Sequence, residues 1–369
     1  MKEKVVIGLS GGVDSAVAAY LLKKQGYEVI GLFMRNWDSS INNDYLGNPN
    51  LNNNICPQEE DYNDAVEVAK KLNITLHRVD FIKEYWDYVF KYFLDELEKG
   101  RTPNPDLMCN KYIKFDFFVK EALKYDAKYI ATGHYARIVG NKLLRGVDNN
   151  KDQTYFLAQL SANQLKNVLF PIGDLEKTEV RKIALEIGLN VATKKDSTGI
   201  CFIGERHYQE FVKNYLKENP GDIIDIETKQ VVGRHKGLMF YTIGQRRNVG
   251  LSGDAKRHYV AGKNVSKNEL YIAYGDDNKY LLSDAVLIDN VNFISATRPT
   301  FCTAKFRYRG EDHPVNLEYL PNDEIMVKCV GMAKAVTPGQ ACVLYLGEEC
   351  LGSGIIKKIY KDNKELWYL

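Results

Sequence analysis

No run of apolar residues in this 369-residue chain is long enough to span a bilayer, so no membrane partner is expected. There is no C-x-x-C pair and no tight zinc-type spacing. The seven cysteines (Cys56, Cys109, Cys201, Cys302, Cys329, Cys342 and Cys350) are odd in number and widely scattered, which argues against a disulfide framework. An excess of one charge is missing too: 50 Lys and Arg face 48 Asp and Glu, a net charge of +2. That balance is compatible with a nucleic-acid partner but lacks the strongly basic footprint that would itself argue for one. No internal repeat is visible. The segment "MKEKVVIGLSGG" passes straight into a strand pattern with no apolar leader core, so a cytoplasmic location is expected.

What is present is ordinary globular composition, 45% hydrophobic and 27% charged, over a length that suits two or three cores. The first half alternates strand and helix patterns. Strands are expected at residues 5–9, 28–33, 75–79 and 128–132, with helices at 13–25, 59–72, 83–99 and 111–124. Such alternation predicts a parallel sheet covered on both faces, with ligands bound beyond the carboxyl ends of its strands. Residues 38–55 hold seven asparagines and little to bury, and read as a mobile loop. After about residue 280 the pattern changes to short alternating segments, as in "EIMVKCV" and "ACVLYLG", which read as a small β-barrel or sandwich. The expected domains are 1–204, 205–279 (small and mixed) and 280–369.

"VVIGLSGGVDSAVAAYLL" (residues 5–22) joins an apolar strand to a helix through Ser10-Gly11-Gly12-Val13-Asp14-Ser15. The glycines let the backbone approach a polyanion, and the helix behind them aims its free N–H groups at it. The lysine of a G-x-x-x-x-G-K-[ST] loop is missing. Asp14 would repel bare phosphate, so it either works through a magnesium ion or orients the loop. S-G-G-V-D-S resembles the loop of the PP-loop ATP pyrophosphatases. The resemblance implies a Rossmann-like α/β domain that splits ATP between its α and β phosphates and adenylates a substrate oxygen.

Two cysteines stand in reactive settings. Cys109, in "GRTPNPDLMCNKYIKF", follows Pro103 and Pro105, which read as stiffening a loop, and precedes Lys111 and Lys114 at the start of a helix. A thiol at such a position should be substantially thiolate. Cys201, in "TKKDSTGICFIGERHY", sits between Gly199 and Gly204 with Lys194, Lys195 and Arg206 around it. Cys329 and Cys342 alternate with apolar residues in strand-like runs and read as core, as do Cys302 and Cys350. An adenylating loop with two reactive thiols suggests sulfur transfer.

These segments, together with "ATGHYAR", "KDQTYFL", "GLMFYTIGQR", "KFRYR" and "TPGQACVLYLGEECLG", resemble the MnmA family of tRNA-specific 2-thiouridylases over nearly the whole chain. The resemblance implies that Gly8, Leu9, Ser10, Gly11, Gly12, Val13, Asp14 and Ser15 bind ATP phosphates, bordered by Met34 and Gly133. Cys201 would carry a persulfide and Cys109 would be the second catalytic cysteine, with Asp106 as general acid or base. Asn104, Pro105 and Asp106 would meet the target base, and His134, Lys151, Asp152, Gln153, Arg307, Tyr308 and Gln340 would contact tRNA. The implied reaction is 2-thiolation of the wobble uridine of the tRNAs for Lys, Glu and Gln. It would use ATP with Mg2+ and sulfur from a persulfide donor, either a relay protein or a cysteine desulfurase. Lys305, Arg307 and Arg309 read as one face of a phosphate-contacting strand. Three alternatives stay open: a PP-loop amide ligase that needs no cysteine, an iron–sulfur thiolase using Cys56, Cys109 and Cys201, and a non-catalytic binding module.

Overall fold

The computed structural model describes residues 2–51, 57–196, 199–251 and 257–369. Five parallel strands form the first sheet: β1 (Lys4–Gly8), β2 (Glu28–Arg35), β3 (Thr75–Asp80), β4 (Tyr129–Ala131) and, after the hairpin β5 (Ala136–Val139) and β6 (Lys142–Arg145), β7 (Val168–Leu169). Their order is β3-β2-β1-β4-β7. The central strand β1 is apolar without alternation because both of its faces are covered: Val5, Val6 and Ile7 have no exposed surface. Helix α1 (Val13–Lys24) covers one face with Ala16, Val17, Ala19 and Leu22, against Ala65, Val68 and Ala69 of α2 (Pro57–Leu72). Gly26 and Gly188 follow their helices with φ of +94° and +65°, where a side chain would be strained. The fold is Rossmann-like, as expected.

Two expectations fail here for physical reasons. Of the expected mobile loop at 38–55, residues 52–55 lie outside the described residues, and 38–51 are held by long-range contacts. The Asp44 carboxylate is fully buried and accepts from Trp37 Nε1 at 2.9 Å and from the Arg206 guanidinium at 2.7–3.2 Å. Asn214 receives the backbone N–H of Leu46 at 2.9 Å. The segment is fixed by contacts with residues more than 150 positions away, which its own composition does not reveal. Second, Pro105 does not hold a loop open. It is the first residue of a helix (Pro105–Met108) capped by Asn104, whose side chain accepts from the Asp106 N–H at 3.1 Å. Proline suits that position because the N–H it lacks would have no helical partner.

A small sheet follows, β8 (Gly221–Asp225), β9 (Val231–His235), β10 (His258–Asn264) and β11 (Glu269–Tyr274), in the order β10-β11-β8-β9. Beyond it β12 (Leu282–Phe293), β13 (Phe301–Lys305), β14 (His313–Tyr319), β15 (Ile325–Lys334), β16 (Ala341–Leu346) and β17 (Glu349–Lys361) run in the order β12-β15-β14-β13-β16-β17. Pairing of β12 with β17 closes them into a barrel. Its interior takes alternate residues such as Val286, Ile288, Val315, Val327 and Leu344. Cys302, Cys342 and Cys350 are buried and Cys329 is partly so; burial pushes Cys329 up to about 11 and Cys302 up to about 12, which keeps these thiols protonated and inert. The β5–β6 hairpin leaves the first domain and joins the barrel at β17. Arg145 pins it there, paired with Asp312 at 2.6 and 3.0 Å over the Tyr345 ring. The expected basic strand is shorter than the reading: β13 ends at Lys305, and Arg307 and Arg309 lie in the following turn, Arg309 with φ +59°. Among the described residues no helix is long and apolar enough to cross a membrane.

Candidate active site

The Ser10–Ser15 loop leaves β1 at its carboxyl end. Gly11 has φ +73°, and a Cβ there would lie 2.1 Å from the Asp61 carbonyl oxygen, so only glycine fits. The Ser15 hydroxyl accepts from the Ser10 N–H and donates to the Gly12 carbonyl, both at 3.1 Å. These bonds hold the turn open in front of α1, whose first N–H groups are left for an anion. Gly133 packs directly behind, since a Cβ on it would come within 2.7 Å of the Ser15 nitrogen. The Met34 methyl lies beside Gly8. Asp14 already has two partners. Its Oδ1 accepts from Tyr135 Oη at 2.8 Å, and both of its oxygens accept from Lys177 Nζ at 2.8 Å. Of the two roles open to it, this arrangement favours orienting the loop. A polyphosphate fits the loop; a magnesium ion would need Asp14 to exchange partners.

The second cluster is built on two elements. From Pro105 the helix continues as a wider π-helical stretch over Cys109–Phe117, broken in dihedral at Phe115. Gln164 Nε2 donates to the Lys111 and Phe115 carbonyls, at 2.9 and 3.1 Å, and so stabilises the widened turns. Such turns often mark functional sites. Facing it is a strap from Gly199 (φ +93°) to Gly204 (φ +83°), on which Phe202 holds φ +67°, a strained conformation for a bulky side chain. Three bonds secure the strap. The Cys201 N–H donates to Asp106 Oδ1 at 3.0 Å, Tyr85 Oη donates to the Cys201 carbonyl at 2.8 Å, and Gln58 Nε2 donates to the Phe202 carbonyl at 2.6 Å. The result is a Cys109–Cys201 Sγ separation of 3.8 Å across 92 residues of sequence.

The electrostatics differ from the sequence expectation at Cys109. That thiol has no exposed surface, and burial raises it well above its ordinary value, opposite to the lowering expected from its sequence neighbours. Cys201 is partly exposed and shifted down, first by the hydrogen bond from Cys109 and then by the Lys114 ammonium. Burial raises Asp106 above the usual carboxylate range.

The two clusters are joined through the chain that leads into the strap. Lys194 Nζ donates to the Gly11 carbonyl at 3.1 Å and pairs with Asp61 and Asp64. Asp196 binds Lys151, Lys177 and Arg181 at 2.6–2.8 Å; against the opposing effect of burial, Lys151 and Lys177 hold it down to about 2. Lys177 thus connects Asp14 of the loop with Asp196, three residues before Gly199 in the sequence. Neither it nor Tyr85, Gln58 and Gln164 was singled out from the sequence, and no local motif marks them.

The remaining expected residues are placed as follows. Asp152 is buried and accepts from the Gly146 N–H and from Thr154, and Gln153 Oε1 accepts from the Tyr135 N–H at 3.0 Å. His134 is buried next to Thr132 and Lys114. Tyr308 packs on Phe156, with ring centroids 4.3 Å apart, and Arg307 precedes it in the turn. Gln340 Nε2 donates to the Thr102 carbonyl at 2.7 Å, which brings the barrel against the strand of chain leading to Asn104. Cys56 lies outside the described residues. Among those described, no group of three or more metal-ligating side chains is assembled.

Residues 3–205 match the family model described as "tRNA methyl transferase HUP domain", 209–274 the "tRNA methyl transferase PRC-barrel domain" and 283–356 the "Aminomethyltransferase beta-barrel domain". The tRNA-specific 2-thiouridylase MnmA of Mesoplasma florum is 55% identical over 370 residues, spanning 96% of this chain and 99% of that protein. The protein of the same name from Mycoplasmopsis synoviae is 55% identical over 372 residues, covering 100% and 99%. That from Bacillus licheniformis is 51% identical over 375 residues, covering 99% and 98%.

Proposed function

Because the chain belongs to the family of tRNA-specific 2-thiouridylases, sulfurtransferases that act on tRNA, we propose that it replaces the carbon-2 oxygen of the wobble uridine in the tRNAs for Lys, Glu and Gln with sulfur. The observation that carries this reading is the 3.8 Å approach of Cys109 to Cys201, together with the bond of Lys194, earlier in the Cys201 segment, to the Gly11 carbonyl of the phosphate loop. A methyl transfer, the activity in the family model's description, has no use for such a loop beside paired thiols.

Carbon 2 of uracil is a poor electrophile because its carbonyl is amide-like. Attack of its oxygen on the α-phosphorus of Mg-ATP, with pyrophosphate leaving toward the α1 N-terminus, turns that oxygen into part of a leaving group. Asp106, held protonatable by burial, takes the N3 proton as the oxygen is adenylated. The terminal sulfur of a persulfide on Cys201 then attacks carbon 2, and AMP departs with the original oxygen. Cys109 attacks the Cys201 sulfur, its proton passing to the base. The products are 2-thiouridine and a Cys109–Cys201 disulfide, which two electrons from a cellular thiol restore. In the second route Cys109 displaces hydrosulfide from Cys201 first, and the hydrosulfide attacks carbon 2; the same disulfide results. Sulfur reaches Cys201 from a persulfide-carrying relay protein or a cysteine desulfurase, and the cytoplasm is the compartment proposed for the reaction. The target base must leave its stack to reach the buried thiols, as with other enzymes that work on bases.

Nucleoside mass spectrometry of unmodified tRNA incubated with protein, Mg-ATP and a persulfide donor tests the reading. 2-Thiouridine that disappears in Cys201→Ser is expected. AMP formation without any thiolated base would overturn the substrate assignment.

A further inference from the structure

Cys109 and Cys201 are chemically identical, and 3.8 Å separates them. An ordered sulfur transfer needs something to tell them apart. Among the described residues, the titratable and charged groups facing the pair are Asp106, Tyr85 and Lys114. Asp106 disfavours a thiolate on either sulfur, and the Tyr85 phenol is spent on the Cys201 carbonyl. Lys114 is the cation of the set.

Its placement depends on the irregular helix. In an α-helix of 3.6 residues per turn, residues five apart lie about 140° apart around the axis, so Lys114 would point away from Cys109. The π-helical ladder of Cys109–Phe117 bonds each residue to the fifth one on and brings Lys114 back over the first. Gln164 clasps the Lys111 and Phe115 carbonyls on either side of it, and the dihedral break at Phe115 comes immediately after. The ammonium then lies over the Phe202 ring, 5.6 Å from its centroid, and 3.5 Å from His134 Nε2. For the ammonium to donate there, His134 must be neutral with its proton on Nδ1, and Nδ1 indeed has a partner, Thr132 Oγ1, at 2.7 Å. Burial, and then Lys114 itself, keep that imidazole uncharged. The brace is therefore neutral and does not draw the ammonium's charge away from the sulfurs.

We propose that Lys114 is a positioning residue that distinguishes the two thiols: braced by neutral His134 over the ring of Phe202, the neighbour of Cys201, its ammonium selects partly exposed Cys201 as the sulfur-accepting group, while enclosed Cys109 resolves it. The roles named rest on the sulfur-transfer reading; the ionisation order does not.

The test is iodoacetamide alkylation of the full-length protein from pH 5 to 10, with each cysteine followed by peptide mass spectrometry. In the unsubstituted protein Cys201 should react with a midpoint below that of an ordinary thiol, about 8.5, and below that of Cys109. Lys114→Gln should raise the Cys201 midpoint by about one unit or more, the lower end of what an opposite charge in contact produces, and slow its alkylation about tenfold at pH values below the original midpoint. Lys114→Arg, which keeps the charge, should retain most of the reactivity. An unmoved midpoint in Lys114→Gln, or one raised equally by Arg and Gln, overturns the proposal. So does the reverse order of Cys109 and Cys201 in the unsubstituted protein, which needs no variant to fold. Normal 2-thiouridine formation with an unmoved midpoint would sink this inference alone; a moved midpoint without thiouridine would sink only the functional reading.

Discussion

Replacing Arg206 with methionine should loosen the segment that carries Cys201 without touching either thiol. The Arg206 side chain is 6% exposed and that of its partner Asp44 not at all. Three guanidinium contacts reach the carboxylate, at 2.7, 3.0 and 3.2 Å. Removing one member of a buried pair typically costs about 3–5 kcal/mol, because the other charge is left in the interior. Here Trp37 Nε1 and Ser39 Oγ still donate to Asp44, at 2.9 and 3.3 Å, so the lower end, about 3 kcal/mol, is expected. The double substitution Asp44→Leu with Arg206→Met removes both charges and should be less destabilising than Arg206→Met alone. Urea unfolding read by tryptophan fluorescence reports on this place, since Trp37 and Trp86 stack within the same cluster at 6.4 Å. Hydrogen exchange should show residues 38–51 and 199–207 losing protection together, and 2-thiouridine formation should fall with them. A loss below about 1 kcal/mol, the range of an exposed ion pair, would refute the claim that this pair anchors the strap.

At the phosphate loop, Gly133→Ala puts a methyl group 2.7 Å from the Ser15 nitrogen and 2.8 Å from the Asp14 carbonyl carbon. Backbone has to move, so a stability loss of about 1–3 kcal/mol and weakened binding of a non-hydrolysable ATP analogue by calorimetry are expected; unchanged binding would mean that the loop does not rest on Gly133. In the central domain, burial lowers Lys263 to about 7, while its ammonium donates to the Gly100 carbonyl at 2.9 Å. The unfolded chain, with an ordinary lysine, binds more protons between about pH 7 and 10.5, so this group makes stability rise with pH across that window. Between pH 7 and 9 the gain attributable to Lys263 is on the order of 2 kcal/mol. Urea melts at the two pH values should show that gain shrinking in Lys263→Met, and equal slopes in both proteins would contradict it.

Much of the fold was legible because its signals are local. The unbroken apolar run Val5–Ile7 announces a strand covered on both faces, and Gly26 and Gly188 announce helix ends by a conformation that other residues avoid. The phosphate loop is readable for the same reason, since the close approach of Asp61 to Gly11 leaves no room for a side chain. Proline was ambiguous. Pro105 can break a helix or begin one, and the choice is made by the Asn104 side chain reaching the Asp106 N–H. Over its described part, 38–51, the asparagine-rich stretch is held where its composition predicts mobility, by a buried pair, Asp44 with Arg206 at 162 residues' separation.

Charge near the cysteines was the least legible feature, and the reason is geometric. Lys194 and Lys195 flank Cys201 in sequence, yet Lys194 is drawn to Asp61, Asp64 and the Gly11 carbonyl. The ammonium that lies over the Phe202 ring, next in the chain to Cys201, is that of Lys114, on another element. Lys114 is also the cation that sequence proximity assigned to Cys109, where burial outweighs it. In a low-dielectric cluster the ionisation of a thiol is set by which groups the backbone turns toward it and how much water reaches it. Here a π-helical stretch that no residue pattern announces carries Cys109 and Lys114, and a separate strap carries Cys201. The two cysteines stand out by their motifs, while their 3.8 Å approach and their different burial required the fold.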